Sequence, residues 1–74
     1  MDIAALNHYI VKAAYFTLDY FRLMEAGNEA NAAFCRGRYF SLMEVVADLA
    51  NMAWDDVDAL VKAKATELQE QGLA

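Results

Sequence analysis

Cys35 and His8 are the residues of this chain best suited to nucleophilic or metal chemistry, and each type occurs once. A catalytic thiol needs an activating base, which only His8 could provide. The helical hairpin predicted below keeps the two residues far apart, because His8 lies near the far end of the first helix. A structural zinc site takes about four Cys or His ligands, more than the chain contains. We therefore expect no enzymatic activity, no metal and no cofactor, with Cys35 in the core and His8 on the surface.

Arg36 and Arg38 are a second group with chemical potential, because they lie in an apolar stretch on either side of Gly37. Arginine near aromatic rings is common at protein interfaces. With Arg22 from the first helix, they could form a small basic patch that binds a carboxylate or a phosphate. The alternative is that they form ion pairs within the chain or between subunits, with Glu25, Glu29 or Glu44. The sequence leaves both interpretations open.

Trp54 precedes a cluster of acidic residues, Asp55, Asp56 and Asp58. Acidic side chains are favoured at a helix N-terminus, where Asp55 could cap a new helix. The alternative is a docking site in which Trp54 anchors a partner while the acidic side chains attract a basic surface. Capping is the simpler explanation, and the two are not exclusive.

The length and charge of the chain limit its function further. It has 74 residues and a net charge of −5. The acidic balance argues against general nucleic-acid binding, which draws its affinity from basic side chains on phosphates. A core this small rarely supplies more than a few kcal/mol, so small proteins add disulfides, metals or a second subunit. One cysteine excludes an intrachain disulfide, and a hydrophobic content of 59% favours a further interface. We therefore predict a homo-oligomer, most simply a dimer.

The apolar run from Ile3 to Met24 is long enough to cross a membrane, but it contains Lys12, Asp19 and Arg22. A charge at the centre of a membrane helix costs about 2.5–3.5 kcal/mol. The first two residues lack the basic character of a signal peptide. Together with the single free cysteine, these features predict a cytoplasmic protein without a membrane segment.

Apolar residues recur at helical spacing throughout a chain that has no proline, which predicts an all-α protein. Gly27 suits the left-handed position that ends a first helix over about residues 2–26. Asn28 can then cap a second helix over about residues 29–52. The short turn between two long helices predicts an antiparallel hairpin.

A third, shorter helix is expected over about residues 56–71, with a break near Trp54 and an end at Gly72. The alternative is that the second helix continues past Trp54 as one long helix. Residues 1–74 would then form a single helical domain. Gly37 falls inside the second helix, where glycine costs about 1 kcal/mol relative to alanine. It either admits the close approach of another helix or is merely tolerated.

The first helix is apolar around more than half of its circumference, which is more than one neighbouring helix can cover. We expect its polar stripe to face solvent: His8, Lys12, Tyr15, Asp19 and Arg22. The opposite stripe is expected in the core: Ile3, Leu6, Ile10, Ala13, Thr17, Phe21 and Met24. Beside it runs an aromatic stripe expected at an interface: Tyr9, Phe16, Tyr20 and Leu23. The alternative is that the third helix covers this aromatic stripe.

The second helix has a similar excess of apolar surface. Its heptad seam consists of Cys35, Tyr39, Leu42, Val46, Leu49 and Ala53, and its flanks carry Phe34, Val45, Met52, Phe40 and Met43. Two adjacent helices with wide apolar arcs are typical of a four-helix core formed by two chains. The third helix has one apolar stripe and is expected to be peripheral: Val57, Leu60, Val61 and Leu68.

These features favour a non-enzymatic protein that acts by binding a partner protein, as an inhibitor, regulator or adaptor of the phage- or plasmid-borne accessory kind. Two alternatives stay open: a hairpin dimer that binds nucleic acid through an arginine patch, and a structural subunit of a larger assembly. The partner or dimer interface is predicted to contain Tyr9, Phe16, Tyr20, Leu23, Arg36, Arg38, Tyr39, Phe40, Met43 and Trp54.

Overall fold

The computed structural model describes residues 2–73, and within that range the chain forms three helices and no strand. They are α1 (Ile3–Glu25), α2 (Glu29–Ala50) and α3 (Trp54–Glu70). α1 and α2 pack closely together, and α3 lies against both, with more of its contacts on α1. The all-α class is confirmed. Each predicted helix bound differs from the observed one by at most about two residues.

The turn between α1 and α2 has the local chemistry that the sequence indicates. Gly27 adopts a left-handed conformation with φ of 75° just after α1 ends. The side chain of Asn28 then accepts a hydrogen bond from the backbone N–H of Asn31 at 3.3 Å and so caps α2. At the other end of α1, the Asp2 side chain accepts a hydrogen bond from the backbone N–H of Ala4 at 3.0 Å. These caps satisfy N–H groups that a helix start leaves unpaired.

The chain does break between α2 and α3, but Asp55 does not cap the new helix. α2 ends at Ala50, its C-cap Asn51 is left-handed with φ of 52°, and the N-cap of α3 is Ala53. No side chain bonds to this cap, and Asp55 and Asp56 lie in the first helical turn instead. They still oppose the partial positive charge of the helix start there. Helix α3 begins two residues earlier than predicted, because the left-handed Asn51 completes the turn by itself.

The core is built from small and aliphatic side chains of all three helices. Its buried members are Ala13, Ala14, Leu18, Met43, Val46, Ala47, Val57, Val61, Ala65 and Leu68. Four of these ten residues belong to α3. The expectation that α3 is peripheral is therefore wrong, although Leu60 from its predicted stripe is exposed.

The predicted core stripe of α1 is only partly correct. Ala13 is buried, but Ile3, Phe21 and Met24 are exposed. Ile3 and Met24 lie near the helix ends, where neighbouring helices give little cover, and Phe21 borders the gap between α2 and α3. The missed core residues of α1 are Ala14 and Leu18, which join the cluster that includes α3. A helical wheel of α1 alone cannot show which residues a third helix covers.

No aromatic side chain is buried in this fold. The chain has one tryptophan, four tyrosines and four phenylalanines, and each is half-buried or exposed. Tyr9 and Tyr39 pack against the edge of the core without entering it. Aromatic side chains carry the largest apolar areas, so much apolar area remains at the surface of this chain. Within the described residues, no helix is long and apolar enough to cross a membrane.

Candidate functional site

Two concave surfaces collect most of the residues that the sequence analysis assigns to an interface. The first, the aromatic groove, has a volume of about 230 Å³ and is lined by Thr17, Tyr20, Phe21, Arg36, Tyr39, Phe40, Asp58 and Lys62. The second, the basic cleft, has a volume of about 150 Å³ and is lined by Lys12, Phe16, Arg38, Ser41, Leu42 and Val45. All three helices contribute to the groove, whereas only α1 and α2 contribute to the cleft.

A hydrogen-bonded triad ties the wall of the aromatic groove together. The Tyr39 hydroxyl donates a hydrogen bond to Asp58 Oδ1, and Lys62 Nζ lies 2.7 Å from Asp58 Oδ2. Lys62 and Tyr39, as donors to this carboxylate, hold the pKa of Asp58 below its usual value. Burial, with the adjacent carboxylate, raises the pKa of the Tyr39 hydroxyl above its usual value. The triad leaves the Lys62 and Asp58 charges mutually compensated.

Phe40 is the centre of a stack along the rim of the aromatic groove. The guanidinium carbon of Arg36 lies 5.5 Å from the centroid of the Phe40 ring. The Trp54 and Phe40 rings are 5.8 Å apart at an interplanar angle of 28°. Phe40 and Trp54 remain 42% and 44% exposed, so both rings stay partly open to contact.

The basic cleft holds an arginine between two aromatic rings. The guanidinium carbon of Arg38 is 5.9 Å from the Phe16 ring centroid and 5.7 Å from that of Phe34. Phe34, on the margin of the cleft, is 63% exposed, the most exposed aromatic residue of the chain. Lys12 adds a second cation. In the part of the chain that the structure describes, no carboxylate forms a salt bridge with Arg38 or Lys12.

The three arginines do not form the single patch that the sequence suggested. Arg22 pairs with Asp19 at 3.3 Å on the surface of α1. Arg36 and Arg38 each contact aromatic rings, and they line different surfaces. Pairing with glutamates of the same chain does not occur either: across residues 2–73, no salt bridge joins these arginines to Glu25, Glu29 or Glu44. Pairing between subunits stays a prediction.

Most of the predicted interface residues lie at one of the two surfaces. Tyr20, Arg36, Tyr39 and Phe40 line the aromatic groove, and Trp54 stacks at its rim. Phe16 and Arg38 meet in the basic cleft.

The remaining three predicted residues lie elsewhere. Tyr9 packs on the core edge, and Leu23 is half-buried outside both surfaces. Met43 must be corrected: it is 1% exposed and belongs to the core of its own chain. The wheel of α2 placed it on a flank, but it joins a core cluster to which all three helices contribute.

Sequence reasoning missed four residues that shape these surfaces. Phe21 was assigned to the core, and Asp58 to helix capping or to an acidic docking site beside Trp54, but neither to the wall of a groove. Lys62 follows Asp58 by four residues, the spacing of a helical ion pair, and this signal was available. Phe34 was noted as an apolar flank of α2 but not as an interface residue. Only the position of α3 and the cation–aromatic contacts of Arg38 reveal the roles of these four side chains.

The residues with nucleophilic or metal-binding chemistry lie outside both surfaces. Cys35 is buried, and His8 is exposed on α1 beside Tyr9. Among the described residues, no group of three or more His, Cys, Asp or Glu side chains is placed to hold a metal ion. The chemistry of the two surfaces suits binding, because the groove has exposed apolar area and the cleft has two cations beside aromatic rings.

Comparisons of this chain with protein-family models, curated proteins and solved structures found no match.

Proposed function

We propose that this chain is a non-enzymatic binding protein that recognises a partner protein through the basic cleft and thereby acts as a regulator, inhibitor or adaptor. The observation that carries the proposal is the position of Arg38 between Phe16 and Phe34. An acidic chain keeps this cation unpaired, next to its most exposed aromatic ring. Such a combination is typical of residues that dominate the binding energy of protein interfaces.

The aromatic rings prepare Arg38 for binding. A guanidinium group in contact with aromatic rings has less rotational freedom before any partner arrives, so less entropy remains to be lost on binding. Its planar set of donors matches a carboxylate in a two-pronged geometry. Phe34 supplies an adjacent apolar anchor. The cleft therefore suits a protein segment that presents a carboxylate beside an apolar side chain.

Nucleic acid is the second candidate, because Lys12, Arg36 and Arg38 form no ion pair within residues 2–73. Phosphate binding gains strength from many neutralised charges, with an affinity that falls steeply with salt. The net charge of −5 opposes that attraction. A gel shift with mixed RNA and DNA at low salt tests this candidate, and a clear shift that salt abolishes would favour it over a partner protein.

We also propose that α1 and α2 form an antiparallel hairpin and that two copies assemble into a helical bundle. Phe16 and Arg38, which contact each other, lie equally many residues before and after Gly27, as an antiparallel arrangement requires. The dimer is supported by the composition of the core, which lacks aromatic residues and so leaves large apolar side chains to be covered. Small cores of this kind gain stability from a second subunit.

The cleft is tested by quantitative capture from the native lysate with tagged wild-type chain and two variants. Arg38→Glu reverses the charge in the cleft, and Arg22→Glu is the matched control on the surface of α1. A partner retained by wild type and Arg22→Glu but lost with Arg38→Glu supports the proposal. Arg38→Lys adds a finer test, since it keeps the charge but loses the planar group. Equal retention by all variants contradicts binding through the cleft.

The nature of the partner then separates a regulator from a structural subunit. If the captured protein has an activity that falls in proportion to the added chain, the regulator is supported. If the two proteins form a stoichiometric complex with unchanged activity, the chain is a structural subunit instead.

A further inference from the structure

Opposite charges lie at the two ends of the aromatic stack on the rim of the groove. The Arg36 guanidinium contacts the Phe40 ring, and the Trp54 ring stacks on Phe40. Trp54 is followed in the chain by Asp55 and Asp56, which are both exposed in the first turn of α3. The rim thus runs from a basic end, across two exposed rings, to an acidic end.

These end charges are unpaired within the chain. Lys62 already pairs with Asp58 in the groove, so Arg36 is the cation of its lining that forms no ion pair among the described residues. Across the described range, no salt bridge includes Arg36, Asp55 or Asp56. Each therefore has its charge available for a group outside this copy of the chain.

The rim is self-complementary under a two-fold rotation. In an interface between identical copies, residue i contacts residue j of the partner and residue j contacts residue i. An axis near Phe40 would bring the basic end of each rim against the acidic end of the other. We propose that the aromatic groove and its rim are the homodimer contact, in which Arg36 of each copy pairs with Asp55 and Asp56 of the other. This inference rests on the dimer proposed above and identifies its surface.

The apolar area agrees with this role. Phe21 is 57% exposed at the groove, beside the half-covered rings of Phe40 and Trp54. A standard stable interface buries about 800 Å² on each partner, about a sixth of the 4830 Å² surface of this chain. Exposed aromatic rings at the centre and opposite charges at the edge match the usual arrangement of an apolar interface core within a polar rim.

The basic cleft is the wrong surface for such a contact. It contributes two cations, Lys12 and Arg38, and no carboxylate lines it. A two-fold axis through the cleft would bring like charges together, which is unfavourable across an interface. The two surfaces therefore suit different partners: the groove fits a second copy, and the cleft stays accessible to a different protein.

Charge reversal tests the pairing through sedimentation equilibrium over a range of concentrations. Arg36→Glu and the double variant Asp55→Lys/Asp56→Lys should each weaken the dimer by about tenfold or more. An equimolar mixture of the two should restore it, because the glutamate introduced in one variant then faces the lysines introduced in the other, while the native pair forms on the opposite side of the axis. Arg38→Glu is the matched control, with the same substitution two residues away, and should leave the dimer intact. Circular dichroism verifies that each variant is helical.

The wild-type chain provides a second readout that needs no variant. Trp54 is the sole tryptophan, and it lies on the proposed contact. Its emission should shift to longer wavelength on dilution, in step with dissociation. A wild-type chain that stays monomeric at all concentrations overturns both the dimer and this inference. A dimer that withstands both reversals, or that the mixture fails to restore, overturns this inference and leaves the dimer itself standing.

Discussion

Tyr39 on α2 donates a hydrogen bond to the carboxylate of Asp58 on α3, whose other oxygen binds Lys62. This contact joins the two helices that share the fewest packing contacts in the fold. It also lies in the wall of the aromatic groove, so it fixes the surface that we assign to the dimer. A single side-chain hydrogen bond thus links the position of α3 to the shape of an interaction surface.

Replacing Tyr39 by phenylalanine removes the donor and keeps the ring. A hydrogen bond to a charged group contributes about 1.5–3 kcal/mol, and this partly exposed one belongs at or below the lower limit. We expect the free energy of unfolding by urea to fall by about 1 kcal/mol. Tyr15→Phe is the control, because the Tyr15 hydroxyl donates a hydrogen bond to the backbone carbonyl of Leu73 at an exposed position. This substitution should change the free energy of unfolding by less than about 0.5 kcal/mol. If the two variants lose the same free energy of unfolding, the hydrogen bond to Asp58 contributes no more than the exposed one of Tyr15.

The lowered pKa of Asp58 predicts how stability depends on pH. Its folded pKa lies below the unfolded value of about 3.9, so the ionised group stabilises the fold above that value. This contribution is lost as the pH falls through the folded pKa. In Asp58→Asn the loss has already occurred, so the stability difference from wild type should be largest near neutral pH and shrink in acid. Urea unfolding of both proteins between about pH 2 and pH 7 measures it. A difference that stays constant over this range would exclude the carboxylate as its source.

Gly27, between α1 and α2, and Gly37, within α2, should respond oppositely to alanine. A Cβ at Gly37 meets no atom within 4 Å, and the residue lies in a helix, so Gly37→Ala should stabilise the chain by about 1 kcal/mol. Gly27 has φ of 75°, and Gly27→Ala should destabilise it by about 1–2 kcal/mol. Thermal unfolding followed by circular dichroism gives both signs. If Gly37→Ala instead weakens the dimer, a helix of another copy approaches α2 at that point, which our placement of the contact does not allow.

The role of α3 in the core is tested with two leucines of the same helix. Leu68 is buried in the core cluster, and Leu68→Ala should cost about 2–5 kcal/mol. Leu60 is exposed, and Leu60→Ala should cost about 0.5 kcal/mol or less. Denaturant unfolding of the two variants compares them directly. If both variants lose only about 0.5 kcal/mol of stability, α3 is peripheral, as its sequence pattern indicated.

Local features of the fold were predictable from the sequence because they depend on neighbouring residues. Gly27 and Asn28 specify the turn between α1 and α2 by backbone freedom and side-chain capping, and both behave as predicted. The break before Trp54 was also predicted, although the residue that makes it is Asn51 rather than Asp55.

Features that depend on all three helices were harder to predict. Ala14 and Leu18 are buried in a core that all three helices form, and no wheel of α1 contains that information. The same limit applies to the surfaces. The sequence identified Arg36 and Arg38 as unusual, but neighbouring positions on a helix point in different directions, and only the fold separates them into groove and cleft.

The central claim is that this chain binds a partner protein through Arg38 in the basic cleft. The most direct measurement compares how much partner the wild type, Arg38→Glu and Arg22→Glu retain from the native lysate at equal bait concentration. We predict at least about a tenfold loss for Arg38→Glu, the effect expected for a central interface arginine, and no change for Arg22→Glu. If Arg38→Glu retains the same partner at the wild-type level, the cleft is not the binding site and the claim is wrong.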